Sequence, residues 1–228
     1  MKTGNPIIRH IYTADPTVVV YQDTIYLYTG HDEAPPGIYQ YVMNEWLCFS
    51  SRDLLHWHDH GALLNPTDFS WGKSNAYASS VVQRDGKFYW YVATTPANSS
   101  RKAIGVAIAD NPAGPFTDAL GSPLIYEFDM PASSDNYDPS VLIDDDNQAY
   151  IFWGKNTCFY ARLEENLTGL AGDINIVDLP EFMEGAHIHK RNGWYYLSYG
   201  YGMPEKVGYA MSRSIHGPWQ FKGILNEL

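Results

Sequence analysis

The sequence predicts an all-β chain of β-propeller type, and three observations predict it. A hairpin pattern recurs four times. A second hairpin with an aromatic residue at one fixed place closes most copies. Gly and Pro are scattered as turn punctuation, and no convincing amphipathic helix interrupts them. The clearest copy reads Y-D-P-S-V-L-I-D-D-D-N-Q-A-Y-I-F-W-G, from Tyr137 to Gly154. A short apolar run, an Asp/Asn-rich turn and a second apolar-aromatic run read as an antiparallel β-hairpin. The other copies open at Asp15, Ala78 and Glu184 and end at Gly30, Ala93 and Gly200. Self-similarity at a period of roughly 40–50 residues or more marks a propeller or solenoid. All-β units favour a propeller with four-stranded blades.

The closing hairpins share S-S-R-D-L-L-H-W, A-D-N-P-A-G-P-F and S-R-S-I-H-G-P-W, which put Trp57, Phe116 and Trp219 in one place. These aromatics are expected to plug one sheet onto the next. The third unit departs and has A-R-L-E-E-N-L-T-G-L-A-G-D-I instead. The expected blades are residues 13–66, 75–127, 136–180 and 182–228 of a single domain spanning 1–228.

In chain order, Asn5 to Tyr12 is an entry strand or loop, and Gly30 to Glu33 a polar loop after the second strand. Loops at one end of a propeller usually carry the site, which makes His31 a candidate sugar contact. His56, His58 and His60 alternate as in a strand. With no placed carboxylate or thiolate they read as surface or packing residues rather than a metal site. A short helical turn is expected near Asn65 to Phe69. Trp71 and Tyr77 stand beside polar side chains, and two readings remain open: stacking on a sugar, or ordinary blade packing. Asp144 to Asn147 resembles the start of a calcium loop but lacks the Gly and closing Glu, so it reads as a solvated hairpin turn.

The chain has 228 residues, 45% of them hydrophobic, with 7 Trp, 18 Tyr and 9 Phe. That is enough for one large β domain. The net charge of −11, from 15 basic and 26 acidic side chains, disfavours nucleic acid and anionic membranes as partners. A neutral sugar is indifferent to it. No apolar run approaches the roughly 20 residues that cross a bilayer. The opening M-K-T-G-N-P lacks a signal-peptide apolar region, which leaves the compartment open between cytoplasmic and periplasmic or secreted. Cys48 and Cys158 read as buried free thiols, with a disulfide as the alternative.

The position that opens each inner strand carries Asp15, Ala78, Asp138 and Glu184. Acids at strand starts are often only turn residues. In a propeller, equivalent positions form a ring at one height, and three acids in such a ring point to more. Crowded carboxylates repel, so at least one is expected to keep its proton to higher pH. A protonated acid beside an ionised base is what glycoside hydrolysis requires.

The stretches I-Y-T-A-D-P, Y-D-P-S-V-L-I-D-D-D and E-G-A-H-I-H-K-R-N-G-W-Y-Y-L-S-Y resemble glycoside hydrolase family 43. They look closest to its arabinoxylan arabinofuranosidase and β-xylosidase members, and the resemblance runs the length of the chain. It implies a five-bladed β-propeller and an inverting glycosidase acting on arabinoxylan or xylan-type hemicellulose, with no organic cofactor. Asp15 matches the family's general base and Glu184 its general acid. Asp138 matches the third carboxylate, which orients the acid and modulates its proton affinity. If inversion holds, the carboxyls of Asp15 and Glu184 are roughly 6.5–9.5 Å apart, against about 5–5.5 Å for a retaining enzyme.

Three departures stand out. Tyr77-Ala78-Ser79 replaces the Trp-Ala-Pro or Trp-Ala-Gly of many members, and Ala186 replaces a common Pro. Only about four blades fit into the chain. In relatives a fifth blade brings a histidine to a metal, often calcium, in the central channel, and an arginine to the sugar. This implies a fragment of a longer protein, or a second chain that completes the propeller. No metal ligand is assigned within the chain itself. The rival reading is a non-catalytic carbohydrate-binding propeller.

Overall fold

The computed structural model describes residues 6–126, 129 and 135–226. Those residues form four antiparallel sheets, each following chain order. The first holds β1 (Thr13–Tyr21), β2 (Thr24–Asp32), β3 (Met43–Ser51) and β4 (His58–Leu64). The second holds β6 (Ser79–Arg84), β7 (Lys87–Pro96), β8 (Ala103–Ala109) and β9 (Thr117–Asp118), and a short β5 (Gly72–Ser74) pairs with the far end of β7. The third holds β10 (Ser140–Ile143), β11 (Ala149–Trp153), β12 (Cys158–Leu163) and β13 (Leu170–Val177). The fourth holds β14 (His187–Arg191), β15 (Trp194–Tyr201), β16 (Lys206–Ser212) and β17 (Gln220–Ile224). These are blades of the expected propeller fold class. The expected helical turn is a single 3-10 turn, Pro66–Asp68.

The inner hairpins form because their turns suit them. Gln22 and Asp23 have φ 47 and 59, Asp85 and Gly86 have 52 and 78, and Asn192 and Gly193 have 51 and 71. Two consecutive positive φ values make a type I′ turn, whose twist matches that of the flanking strands. Each turn therefore closes on an adjacent pair: Tyr21 with Thr24, Arg84 with Lys87, and Arg191 with Trp194. The third hairpin uses a longer turn, in which the Asp144 amide donates to the Gln148 carbonyl at 2.9 Å.

Contacts divide the chain into two compact units, Met1–Ser100 with Gly105–Pro123, and Arg101–Ile104 with Leu124–Leu228. The core of the first is aromatic, built on Tyr28, Trp46, Phe69, Phe88, Trp90 and Phe116. The Tyr28 hydroxyl donates to the Pro112 carbonyl at 2.7 Å. The core of the second gathers Phe152, Cys158, Phe182, Leu197 and Tyr199. Along β15 burial alternates, with Tyr195, Leu197 and Tyr199 facing in, as the period-2 pattern predicts.

Two of the three expected plug residues, Phe116 and Trp219, join one sheet to the next within a unit, whereas Trp57 packs on its own sheet and the segment before it. Phe116 of the second sheet meets Tyr28 of the first at 6.3 Å between ring centroids. Trp219 of the fourth sheet meets Phe152 of the third at 6.2 Å. Trp57 packs on Ile8, Leu27, Leu47 and Phe49. The third sheet, without the aromatic motif, still closes with an outer hairpin, and there Leu167 is fully buried. Cys48 and Cys158 are buried free thiols, and burial raises the Cys48 pKa to about 12.

Two sequence expectations need correction. His56 does not share a strand with His58 and His60. It lies in the preceding turn, where Asp53 accepts from both its backbone amide and, at 2.7 Å, its ring. The turn at Asp144 is also only partly solvated. Asp145, Asp146 and Asn147 are exposed, but Asp144 turns inward and accepts from Lys190 and from the Tyr195 hydroxyl. Burial opposes the charge on Asp144, but Lys190, Tyr195 and the Asp145 amide outweigh it and hold its pKa below the ordinary value. A depressed carboxylate pKa contributes stability that is present above the unfolded-state value and lost as pH falls through the folded one. Asp144→Asn is therefore expected to cost about 1–3 kcal/mol at neutral pH. That gap to wild type should close on the acid side of the carboxylate range, read as urea unfolding midpoints at the two pH values.

Candidate active site

In the first unit, β1 begins irregularly. Ala14 pairs with Gly30 and Thr17 with Tyr28, and the ladder breaks between them. Asp15 fills the break with φ 53, and Pro16 behind it has no amide hydrogen to offer a partner strand. Such a bulge re-aims a side chain, and Asp15 is exposed. His31 pairs with Thr13 across the same strand end, and its Nδ1 lies 2.8 Å from Glu45 Oε1. Tyr77 is half-buried against the aromatic core, and its carbonyl accepts from Trp46 Nε1 at 2.7 Å. Trp71 packs on Phe69 at 5.3 Å and against Gly105, and its indole N–H is buried without a partner among the described residues. Of the six sequence candidates, Asp15, His31, Tyr77 and Trp71 belong to this unit.

Asp138 and Glu184 belong to the second unit. Asp138 repeats the conformation of Asp15, with φ 55 immediately before a proline. Its Oδ2 accepts from the Gly185 amide at 2.8 Å, which ties it to the residue after Glu184. The Met183 amide donates to the Gly200 carbonyl at 2.9 Å, and the Gly200 amide donates to the Glu184 carbonyl at 2.8 Å. Both acids are thus held through backbone contacts rather than by long, loose side-chain reach.

Two neighbours carry no signal in the sequence pattern. Lys155, in the turn between β11 and β12, stands 3.0 Å from Glu184 Oε2. Its ammonium also lies over the Tyr137 ring, 4.6 Å from the centroid. Glu205, between β15 and β16, lies against Gly200, whose ideal Cβ would stand 2.0 Å from Glu205 Oε1. Burial raises the Glu205 pKa, the Glu184 carboxylate raises it further, and Lys155 opposes both. The G-K-N-T turn gives no warning of Lys155, since a lysine in a hairpin turn is ordinarily solvated. Only the pairing of separate hairpins brings it to Glu184.

Antiparallel blade sheets of this kind, three of them led by a carboxylate, place the chain in the class of β-propellers. The chain belongs to glycosyl hydrolases family 43, whose family model matches residues 3–223. It is 30% identical to an arabinoxylan arabinofuranohydrolase of Bacillus subtilis (strain 168), covering 96% of this chain and 51% of that protein. The chain thus spans about half the length of that relative. It is 28% identical to xylosidase/arabinosidase 43A of Humicola insolens, over 97% of this chain and 82% of that one. Among solved structures, an α-L-arabinofuranosidase from Clostridium thermocellum matches with TM-score 0.83 and 36% identity, over 96% of this chain and 75% of that one. A family 43 enzyme from Xanthomonas citri in complex with xylotriose matches with TM-score 0.85 and 27% identity, covering 96% and 75%.

Among the described residues no group of three or more His, Cys, Asp or Glu is arranged to hold a metal ion. Of the acids that gather there, Glu184 faces the Lys155 ammonium and Asp138 accepts from the Gly185 amide.

The turn that presents Lys155 depends on Gly154. Its φ is 131, and an added Cβ would stand 2.1 Å from the Thr157 carbonyl oxygen, a backbone atom that cannot step aside cheaply. Gly154→Ala should lower unfolding free energy by at least about 2 kcal/mol. A urea midpoint equal to that of wild type would show that the turn does not need its glycine.

Proposed function

We propose that the protein is an inverting exo-acting glycosidase that removes arabinofuranosyl or xylosyl units from arabinoxylan or xylan-type hemicellulose. Asp15 acts as general base: its carboxylate takes a proton from a water molecule, which attacks the anomeric carbon. Glu184 acts as general acid and gives its proton to the glycosidic oxygen as the carbon–oxygen bond breaks. Asp138 orients the acid by fixing the Gly185 amide beside it. The mechanism asks only for carboxyl groups and water. His31, Tyr77 and Trp71 are proposed sugar contacts, and the four sheets are read as blades of one catalytic domain.

The observation that carries this reading is the hydrogen bond from the Gly185 amide to Asp138 Oδ2 at 2.8 Å. It joins two of the three acids, from separate hairpins, into one rigid unit. The names of the relatives support the sugar class, since those above are arabinofuranosidases and a xylosidase/arabinosidase. The xylotriose bound in the Xanthomonas citri enzyme supports a pentose oligosaccharide.

Activity on arabinoxylan oligosaccharides should fall by about 10²–10⁴ in Asp15→Asn and in Glu184→Gln, with both proteins folded by circular dichroism. Proton NMR of the first-formed sugar should show the anomer opposite to that of the substrate. The same anomer would replace inversion with retention. Tight oligosaccharide binding with no product from wild type would turn the reading to a carbohydrate-binding propeller.

A further inference from the structure

Lys155 stands at a junction within the second unit. Its backbone forms an isolated antiparallel bridge with Asp135. On one side of it the Gly154 amide donates to the Tyr137 carbonyl at 2.9 Å, and on the other the Asn156 amide donates to the Met183 carbonyl at 2.7 Å. The turn is therefore stitched at once to the segment that presents Asp138 and to the segment that presents Glu184. The side chain is restrained as well, by the Tyr137 ring and by Glu184 Oε2.

An ordinary ion pair at this exposure would be worth little. The Lys155 and Glu184 side chains are 39% and 33% exposed, and exposed pairs are weakened by solvent and by the entropy of holding two flexible chains. Here much of that entropy is already lost. Backbone bonds fix both partners, and the aromatic face takes up one side of the ammonium. The charged groups around it come from four segments: Asp135 and Asp138 before β10, Glu184 before β14, Glu205 after β15, and Lys102, whose ammonium lies 5.7 Å from the other contact, the Tyr137 ring. Burial alone would lower the Lys155 pKa. The Glu184 hydrogen bond and the charges of Glu184, Asp138 and Asp135 outweigh it, so the ammonium stays charged across the range where carboxylates work.

The geometry points to Lys155 as a positioning residue for Glu184, holding its carboxyl group in one orientation and pairing the charge left there when its proton departs. This rests on Glu184 being the general acid. In that step the Glu184 proton moves to the glycosidic oxygen, and the bond from that oxygen to the anomeric carbon breaks. The bonding pair stays on the oxygen, and Glu184 is left as a carboxylate facing an ammonium at 3.0 Å. The lysine makes no bond to substrate and exchanges no proton.

The test compares wild type, Lys155→Met, Lys155→Arg and Glu184→Gln on two substrates. One is an arabinoxylan oligosaccharide, whose leaving group needs protonation. The other is an aryl glycoside of a strongly acidic phenol, whose leaving group does not. Lys155→Met should lose roughly ten- to a hundredfold in kcat on the oligosaccharide. It should lose far less on the aryl glycoside and leave KM nearly unchanged. Lys155→Arg should retain most of the activity, and added ethylammonium should restore part of it to Lys155→Met. Equal losses on both substrates without rescue would mean a purely structural lysine, and no loss on the oligosaccharide would also overturn the assignment. If Glu184→Gln keeps oligosaccharide turnover, the general acid itself is misassigned and the proposal falls with it. If Glu184→Gln is impaired while Lys155→Met is not, only the role of Lys155 is refuted.

Discussion

The structure depends first on hairpin register. A one-residue slip in a β-ladder moves every side chain to the opposite face. Three of the inner hairpins prevent that slip with two-residue turns whose central residues both have positive φ, at Gln22-Asp23, Asp85-Gly86 and Asn192-Gly193. With the turn pinned, Leu27, Trp90 and Leu197 each have only one face to occupy, and it is buried. The far end of each hairpin is pinned by the same register. There Asp15, Ala78 and Glu184 lead into their inner strands, and Asp138 does so at the third hairpin with its longer turn.

Those leading positions are not simple continuations of the strands. Asp15 and Asp138 are both left-handed and both precede a proline; Asp15 falls in a break of its ladder, and Asp138 lies just ahead of its own. The left-handed conformation is one that Asp tolerates better than most side chains. The backbone irregularity therefore turns each carboxylate away from its strand. At Asp138 the released side chain is used at once, to accept the Gly185 amide. In the second unit backbone hydrogen bonds connect Tyr137 to Gly154, Asn156 to Met183 and Gly200 to Glu184. Three hairpins of two successive blades are locked to one another there. The side-chain pair of Lys155 and Glu184 lies on this lattice rather than supporting it.

Particular residues show why some of this was legible in sequence and some was not. The hairpins were legible because Asp-Gly and Asn-Gly between apolar runs have one dominant solution. Phe116 and Trp219 were legible as plugs because an aromatic at a fixed phase of a repeat has a fixed neighbour. His56 was misread because alternation in sequence does not say where a strand starts, and Asp53 draws it into a turn. Asp144 looked like its exposed neighbours because composition cannot tell which acid of a run meets a lysine 46 residues away. The third blade lacks the aromatic motif, and its outer hairpin buries Leu167 instead, a residue type that carries no fixed-phase signal in the repeat.

The sequence by itself determined the all-β class, the repeat, the hairpins and the three acids that open inner strands. Each of these follows from local backbone preference or from a pattern that recurs in phase. Only the tertiary structure decided which polar groups those acids meet: the Gly185 amide for Asp138, the Lys155 ammonium for Glu184, and the carboxyl of Glu205 close by. The reason is that such contacts join different hairpins, and a local pattern carries no information about the distance between groups that are far apart along the chain.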